Sequence, residues 1–469
     1  MLFSGSIFLF LFLPVVLVIY FLILKKRRSR NLFLLVASLG FYAWGEPVFV
    51  LVMILSIIGN WFFGLSVDKH RHNKVKSKII IISMLLVNFS IMFIFKYLMF
   101  FLKNLNHIMK TTIPVPNILL PIGISFFTFQ AVSYVLDVYR KDAEVQHNLL
   151  DVAFYISFFP QLIAGPIVRY KTVSEQINYR NENFEDFSEG VQRFIIGLSK
   201  KVLIANNMAI IADRSFAMPT GELSVGFAWL GVLAYSFQIF FDFAGYSDMA
   251  IGLGRMFGFH FLENFNFPYI SRSVSEFWRR WHISLGTWFR DYVYFPMGGS
   301  KVDTKLKLVF NLFVVWSLTG LWHGASWTFV LWGLFYFILL SIEKLTDFDK
   351  RINGKNCFTR VYVLLVVIAG WVLFRADSIT GALDYLKVMF GFTGSGLLDD
   401  FAVGYLRENI YLYIFAIIFS MPVSKWVTNK LKISKVQKIL YPVIHIALFI
   451  LSMSYIIKGS YNPFIYFNF

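Results

Sequence analysis

The sequence predicts an all-α, polytopic membrane protein, and three observations carry that prediction. Hydrophobic residues fill 57% of the 469 positions and charged residues 15%, against about 45–50% and about 25% in soluble domains. The apolar residues come in long blocks, among them 79–101, 361–374 and 439–457, and about 20 such residues cross the roughly 30 Å of a bilayer's hydrocarbon. Basic residues collect in the short segments between blocks, the distribution that orients membrane helices. The net charge of +17 is therefore read as topology and not as a nucleic-acid footprint. One integral-membrane domain over 1–469 is expected.

The first block, 6–24, precedes the basic cluster Lys25, Lys26, Arg27, Arg28 and Arg30. A secretory signal has the opposite polarity, so the block is expected to be a retained span with its N-terminus outside the plasma membrane. A second basic cluster runs from Lys69 through Arg71, Lys74 and Lys76 to Lys78. Two crossings, 32–44 and 48–67, must separate the clusters. Glu46-Pro47 divides them, because proline lacks an N–H and disfavours helical geometry before it.

Farther on, Lys344, Lys350, Arg351, Lys355 and Arg360 predict an inside loop, and Asp377, Asp384, Asp399, Asp400 and Glu408 an outside one. Lys425, Lys430, Lys432, Lys435 and Lys438 return the chain inside. The run 158–166, with Pro160, Gly165 and Pro166, reads either as a re-entrant segment or as a proline-kinked helix; such breaks survive at membrane depth only where protein or a wet cavity covers the backbone. The single cysteine, Cys357, excludes a disulfide framework.

The residues 271–299 carry the densest chemistry. Wound at about 100° per residue, Glu276, Arg279, Arg280, Arg290 and Asp291 share one sector. Trp278, Trp281, Leu285, Trp288, Phe289 and Tyr292 lie opposite, as in a helix lying in the membrane interface. His282 sits at the seam. His323 lies between Gly320 and Gly324 at the junction of the apolar runs 308–318 and 327–340. An ionisable group at such depth marks a site or a packed, satisfied histidine, and glycines permit close backbone approach.

Gln238, Asp242 and Tyr246 form a helical stripe, as do Gln130, Tyr134 and Asp137. Asp242 suits either orienting an imidazole or pairing with a buried arginine. His70, His72, His107 and His147 lie in polar segments, His260 beside a Phe-rich turn and His445 in mid-span. No pair has the i,i+4 spacing of a helical zinc site, so no metal is expected. No phosphate-cradling glycine loop or G-x-S-x-G elbow is present.

The runs EFWRRWHISLGTWFRDYVYFPMGG, GLWHGASW, FDFAGYSDMAIGLGRMFGF and LPIGISFFTFQAVSYVLDVYR together resemble the membrane-bound O-acyltransferase family, in its bacterial branch of alginate O-acetyltransferase membrane subunits. The resemblance implies a bundle of about eleven spanning helices with re-entrant segments and a central funnel. His323 then matches the family's essential histidine and His282 its upstream partner. Arg279, Arg280, Trp281, Trp322, Asp242 and Gln238 become substrate-binding candidates.

The implied donor is a cytosolic acyl thioester, acetyl-CoA or an acyl carrier protein, with no resident cofactor. The implied acceptor side is a cell-envelope polysaccharide or an extracytoplasmic partner of the SGNH-hydrolase type. A hydroxyl attacks a thioester only as it loses its proton, and an imidazole base contributes roughly 10²–10⁴-fold. His323 is expected to be that base and His282 to position or polarise the thioester carbonyl, within about 10 Å of each other in one cavity. Arg279 and Arg280 would receive the donor's phosphates. D-alanyl transfer to teichoic acid is the nearest alternative. A non-enzymatic polysaccharide transporter is the other, although such transporters commonly carry repeated halves, which this sequence lacks.

Overall fold

The computed structural model describes residues 1–348, 357–394, 396–423, 434–459, 461–463 and 465, except for the side chains of 357 and 434–439. The predicted loop charges Lys350, Arg351, Lys355, Lys425, Lys430 and Lys432, and the side chains of Lys435 and Lys438, lie outside the described residues. Those described are helical or irregular, with no strand among them.

Among the described residues nine helices are long and apolar enough to cross a membrane, fewer than the eleven or so implied by resemblance. The apolar segment Phe8–Ile23 is short. Helix α1, Arg27–Ala43, has 17 residues and rises about 25 Å at 1.5 Å per residue, less than the hydrocarbon thickness. Glu46-Pro47 does separate α1 from α2, Phe49–Lys69.

The chain gathers into two compact units. The first comprises 1–194 and 246–262. It holds α1, α2, α3 (Lys74–Met109), α4 (Ile124–Arg140) and α5 (Leu149–Ser157). Asn60 of α2 and Asn88 of α3 exchange side-chain amide hydrogen bonds of 3.0 and 2.9 Å, satisfying two buried amides reciprocally. Arg180 donates to Asn31 Oδ1 at 2.8 Å, Tyr20 Oη at 3.0 Å and Phe257 O at 3.0 Å. Glu182 pairs with Arg27 and, at 3.4 Å, with Arg30. Part of the N-terminal basic cluster is thus tied to the protein.

The run 158–166 is not a kinked continuous helix. One turn, Phe159–Leu162, interrupts a buried irregular stretch. Side chains serve its backbone: Phe159 N donates to Ser38 Oγ at 3.0 Å, and Val168 O accepts from Tyr155 Oη at 2.8 Å. A Cβ on Gly165 would come within 2.6 Å of Gln161 Cα, so only glycine fits that bend.

The second unit comprises 195–245 and 263–469. Helix α6, Phe184–Ala217, runs into it and α7, Val225–Met256, runs out of it. Two short helices follow, α8 (Val274–Arg280) and α9 (Ile283–Phe289). Then come the spans α10 (Lys305–His323), α11 (Trp327–Leu345), α12 (Cys357–Arg375), α13 (Asp400–Ser420) and α14 (Ser434–Ile457). Helices α10 and α11 pack so closely that a Cβ on Gly320 would lie 2.5 Å from Phe329 O. The glycine at 320 thus serves a helix contact. An aromatic cluster fills the unit's core, with Trp278 5.0 Å from Trp316, 5.4 Å from Trp332 and 4.8 Å from Tyr336 between ring centroids.

Candidate functional site

The interfacial helix expected over 271–299 is broken at its centre. Helix α8 ends at Arg280, and His282 adopts a left-handed conformation with φ 43° ahead of α9. A break leaves backbone groups without helical partners, and the irregular segment 264–266 takes them. Asn264 O accepts from Ile283 N at 2.9 Å, and Asn266 N donates to Arg280 O at 2.9 Å. Asn264 Oδ1 accepts from Ser284 N at 3.2 Å. Periodicity across 271–299 carries no trace of a partner eighteen residues upstream of His282. The charged sector predicted from one continuous helix is accordingly divided. Arg280 pairs with Glu276 at 2.8 Å, Arg290 pairs with Asp291 at 2.9 Å, and Arg279 is exposed.

The break turns His282 inward. Its ring is 3% exposed and stands edge-on to Phe243, with centroids 4.5 Å apart. Nδ1 lies 3.1 Å from Asn264 Oδ1, while Nε2 is buried with no hydrogen-bond partner among the described residues. His282 is outside the nine spanning helices found among the described residues. Burial, and secondarily the nearby His323, hold its imidazole well below the usual histidine range, favouring the neutral form.

His323, the last residue of α10, is also buried. Trp322, Trp332 and Phe374 each place a ring 5.0 Å from its imidazole, at interplanar angles of 79–80°. Trp322 joins the two sites. Its ring is 5.8 Å from that of His282 and 5.0 Å from that of His323, so the imidazoles are no farther apart than those two steps together.

His323 borders a cavity of about 10 Å³ that Trp281, Trp332, Phe374 and Ile465 help to enclose, room for about one water. Beyond Phe374 and Ile465, which line both spaces, lies a cavity of about 840 Å³. That volume is of the size that takes a small organic group. Its polar lining includes Gln238, Asp213 and Arg375, the last two paired at 2.8 Å. Gln238 Oε1 is buried with no hydrogen-bond partner among the described residues.

The other sequence candidates separate. Asp242 does not reach an imidazole. It forms a buried ion pair of 2.6 Å with Lys201, a lysine in place of the arginine of the other reading, and accepts from Ile465 N at 3.0 Å. Arg279 and Arg280 are absent from the linings of both cavities. Asp137 accepts from Lys171 N at 3.0 Å and Tyr134 faces Gln146, so that stripe braces the first unit. Among the described residues no group of three His, Cys, Asp or Glu side chains could hold a metal ion.

Three residues escaped sequence reasoning: Asn264, Phe374 and Glu343. The buried carboxylate of Glu343, on α11, accepts from Val274 N at 2.7 Å and Ser275 N at 2.8 Å. It thereby caps α8 and suits the positive end of that helix's dipole. Its signal was a carboxylate within an apolar helix.

Comparison with known proteins finds relatives over most of the chain. The chain is 44% identical over 396 residues to a probable alginate O-acetylase of Pseudomonas aeruginosa, covering 84% of this chain and 75% of that one. It is 37% identical over 464 residues to a peptidoglycan O-acetyltransferase of Helicobacter pylori, covering 91% and 87%. A teichoic acid D-alanyltransferase of Bacillus subtilis is 32% identical over 251 residues, covering 52% and 62%. The family model described as MBOAT, membrane-bound O-acyltransferase family, matches residues 76–382, which include both histidines. With nine membrane-length helices among the described residues and this family match, the chain belongs to the membrane-bound O-acyltransferases.

Proposed function

We propose that the chain moves an acetyl group from a cytosolic thioester to a hydroxyl on the far side of the plasma membrane, where it serves a cell-envelope polysaccharide. The observation that carries this reading is the pair of buried imidazoles that both meet Trp322, with a wide polar cavity past Phe374, the ring beside His323. Acetyl is favoured over D-alanyl because the two relatives named as O-acetylating enzymes match most of the chain, and the D-alanyltransferase about half of it.

In the proposed reaction the hydroxyl enters from the wide cavity and His323 takes its proton as the oxygen attacks the thioester carbonyl. A C–O bond forms, the C–S bond breaks and the proton ends on sulfur. The aromatic cage around His323 leaves space for about one water, which keeps bulk solvent from intercepting the acyl group. Arg279, exposed on α8, and Arg280 are proposed to meet the donor's phosphates outside these cavities. Acetyl-CoA is the proposed donor, with an acyl carrier protein as the alternative. An extracytoplasmic SGNH-type enzyme is the proposed partner. The N-terminus is placed outside, following the charge pattern.

The test uses the full chain in lipid nanodiscs with acetyl-CoA, measuring thiol release. Wild-type turnover, with a loss of about 10²-fold or more in folded His323→Ala, is expected. Undiminished turnover in that variant overturns the assignment.

A further inference from the structure

The hydrogen bonds at His282 fix more than its position. Asn264 Oδ1 lies 3.2 Å from Ser284 N, and a backbone N–H only donates, so the atom at that position is the amide oxygen. The same oxygen accepts from Ser284 Oγ at 2.9 Å and lies 3.1 Å from His282 Nδ1. A carbonyl oxygen has no proton to give. Ser284 Oγ also lies 3.4 Å from Nδ1, but its one hydrogen goes to Asn264 Oδ1 in the shorter contact, so Nδ1 carries the hydrogen that faces Asn264, and in a neutral imidazole Nε2 then bears the lone pair.

Nε2 is buried, and no hydrogen-bond partner meets it among the described residues. Leaving a buried acceptor unmet is costly, and a reactant meeting Nε2 would offset that cost. We infer that Asn264 is a positioning residue for acyl transfer, holding His282 as the Nδ1–H tautomer so that Nε2 faces the reactants as a proton acceptor. This rests on the proposed acyl-transfer reading.

The consequence is a change of role. Polarising a carbonyl needs an N–H, and in this tautomer Nε2 has none, so His282 does not polarise the thioester carbonyl, one of the two roles expected of it. It can instead carry the proton that the attack releases. With His323 taking that proton from the hydroxyl, Nε2 of His282 receives it and returns it from the same atom to the departing sulfur. Nδ1–H stays on Asn264 throughout, so the ring ends the cycle in the tautomer in which it began. Around His282, Phe243, Trp322, Asn264 and Ser284 are uncharged, and His323 is the group whose charge opposes a charge on it. One proton shared between the two rings fits that opposition.

The experiment is ¹⁵N NMR of the full chain, labelled at histidine, in lipid nanodiscs, with the His282 signals identified by their loss in His282→Gln. The expected wild-type spectrum has Nδ1 protonated and Nε2 bare, and a protonated Nε2 overturns the inference. In Asn264→Leu the two tautomers should mix and thiol release from acetyl-CoA should fall at least about 10-fold. An unchanged tautomer there also overturns it.

Asn264→Asp keeps the acceptor oxygen and should restore the tautomer. Its carboxylate favours the imidazolium, so the acid limb of the pH profile should move to higher pH; a profile identical to wild type counts against the positioning role. Should Asn264→Leu fail to fold, the wild-type spectrum and Asn264→Asp still decide. If the tautomer is as expected but His282→Gln turns over normally, the acyl-transfer role of His282 fails while the Asn264 contact stands.

Discussion

The Phe374 ring meets the His323 imidazole edge-on, centroids 5.0 Å apart, and lines both the water-sized cavity and the wide one. It is a partition between the catalytic candidate and the space through which an acceptor would arrive. Phe374→Ala should merge the two volumes and admit water. The expected outcome is a rise in hydrolysis of the acetyl donor relative to polymer acetylation, with a stability loss of about 3–5 kcal/mol. An unchanged ratio of hydrolysis to transfer in a folded variant would remove Phe374 from this role.

The arginines of α8 make a second prediction. Arg280 is held by Glu276 and Asn266 O, and Arg279 is exposed. Replacing both by Gln should raise the KM for acetyl-CoA and leave kcat nearly unchanged, at about 1.5–3 kcal/mol for each charge-assisted hydrogen bond to the donor that the change removes. Steady-state kinetics in nanodiscs decide it, and an unaltered KM would assign this face to lipid headgroups.

The buried pair of Lys201 and Asp242 makes a third. Asp242→Asn keeps an acceptor for Ile465 N but takes the negative charge from beside Lys201. Breaking one side of a buried pair costs about 3–5 kcal/mol. A drop in melting temperature is expected, smaller when Lys201→Met is added. Equal melting of wild type and Asp242→Asn would show that the pair is not structural.

A fourth concerns Glu343. Glu343→Ala strips α8 of its cap and leaves the buried N–H groups of Val274 and Ser275 without that carboxylate. A loss of about 1.5–3 kcal/mol is expected for each charge-assisted bond, read as a lower melting temperature together with lower turnover. Full activity and stability would deny it that function.

Much of the fold was legible because apolar run length and loop charge act locally: Glu46-Pro47 does end one helix and begin another. Both histidines stood out as candidates, His323 at the junction of two apolar runs and His282 in the run 271–299, although the seam position of His282 assumed one continuous helix and the chain bends there. What stayed hidden was set by distant partners. The bend at His282 depends on Asn264, and the cage of His323 on Phe374, fifty-one residues on in sequence. Asp242 was visible as a buried charge, but periodicity on its own helix could not reveal Lys201 as its partner. The glycine at 320 signalled a close backbone approach, and the sequence did not show that the approaching group is a neighbouring helix.

The carboxylate that caps α8 has a temporal consequence. Glu343 follows Val274 by 69 residues, so at about 5–20 residues per second the ribosome needs roughly 3–14 s to deliver it. During that interval the start of α8 has been made but the group that closes it has not. Biogenesis of this region is therefore expected to be sequential, with α8 settling only once α11 has entered the bilayer. A ribosome stalled before residue 343 should hold a nascent chain in which the 274–282 segment is still open to protease.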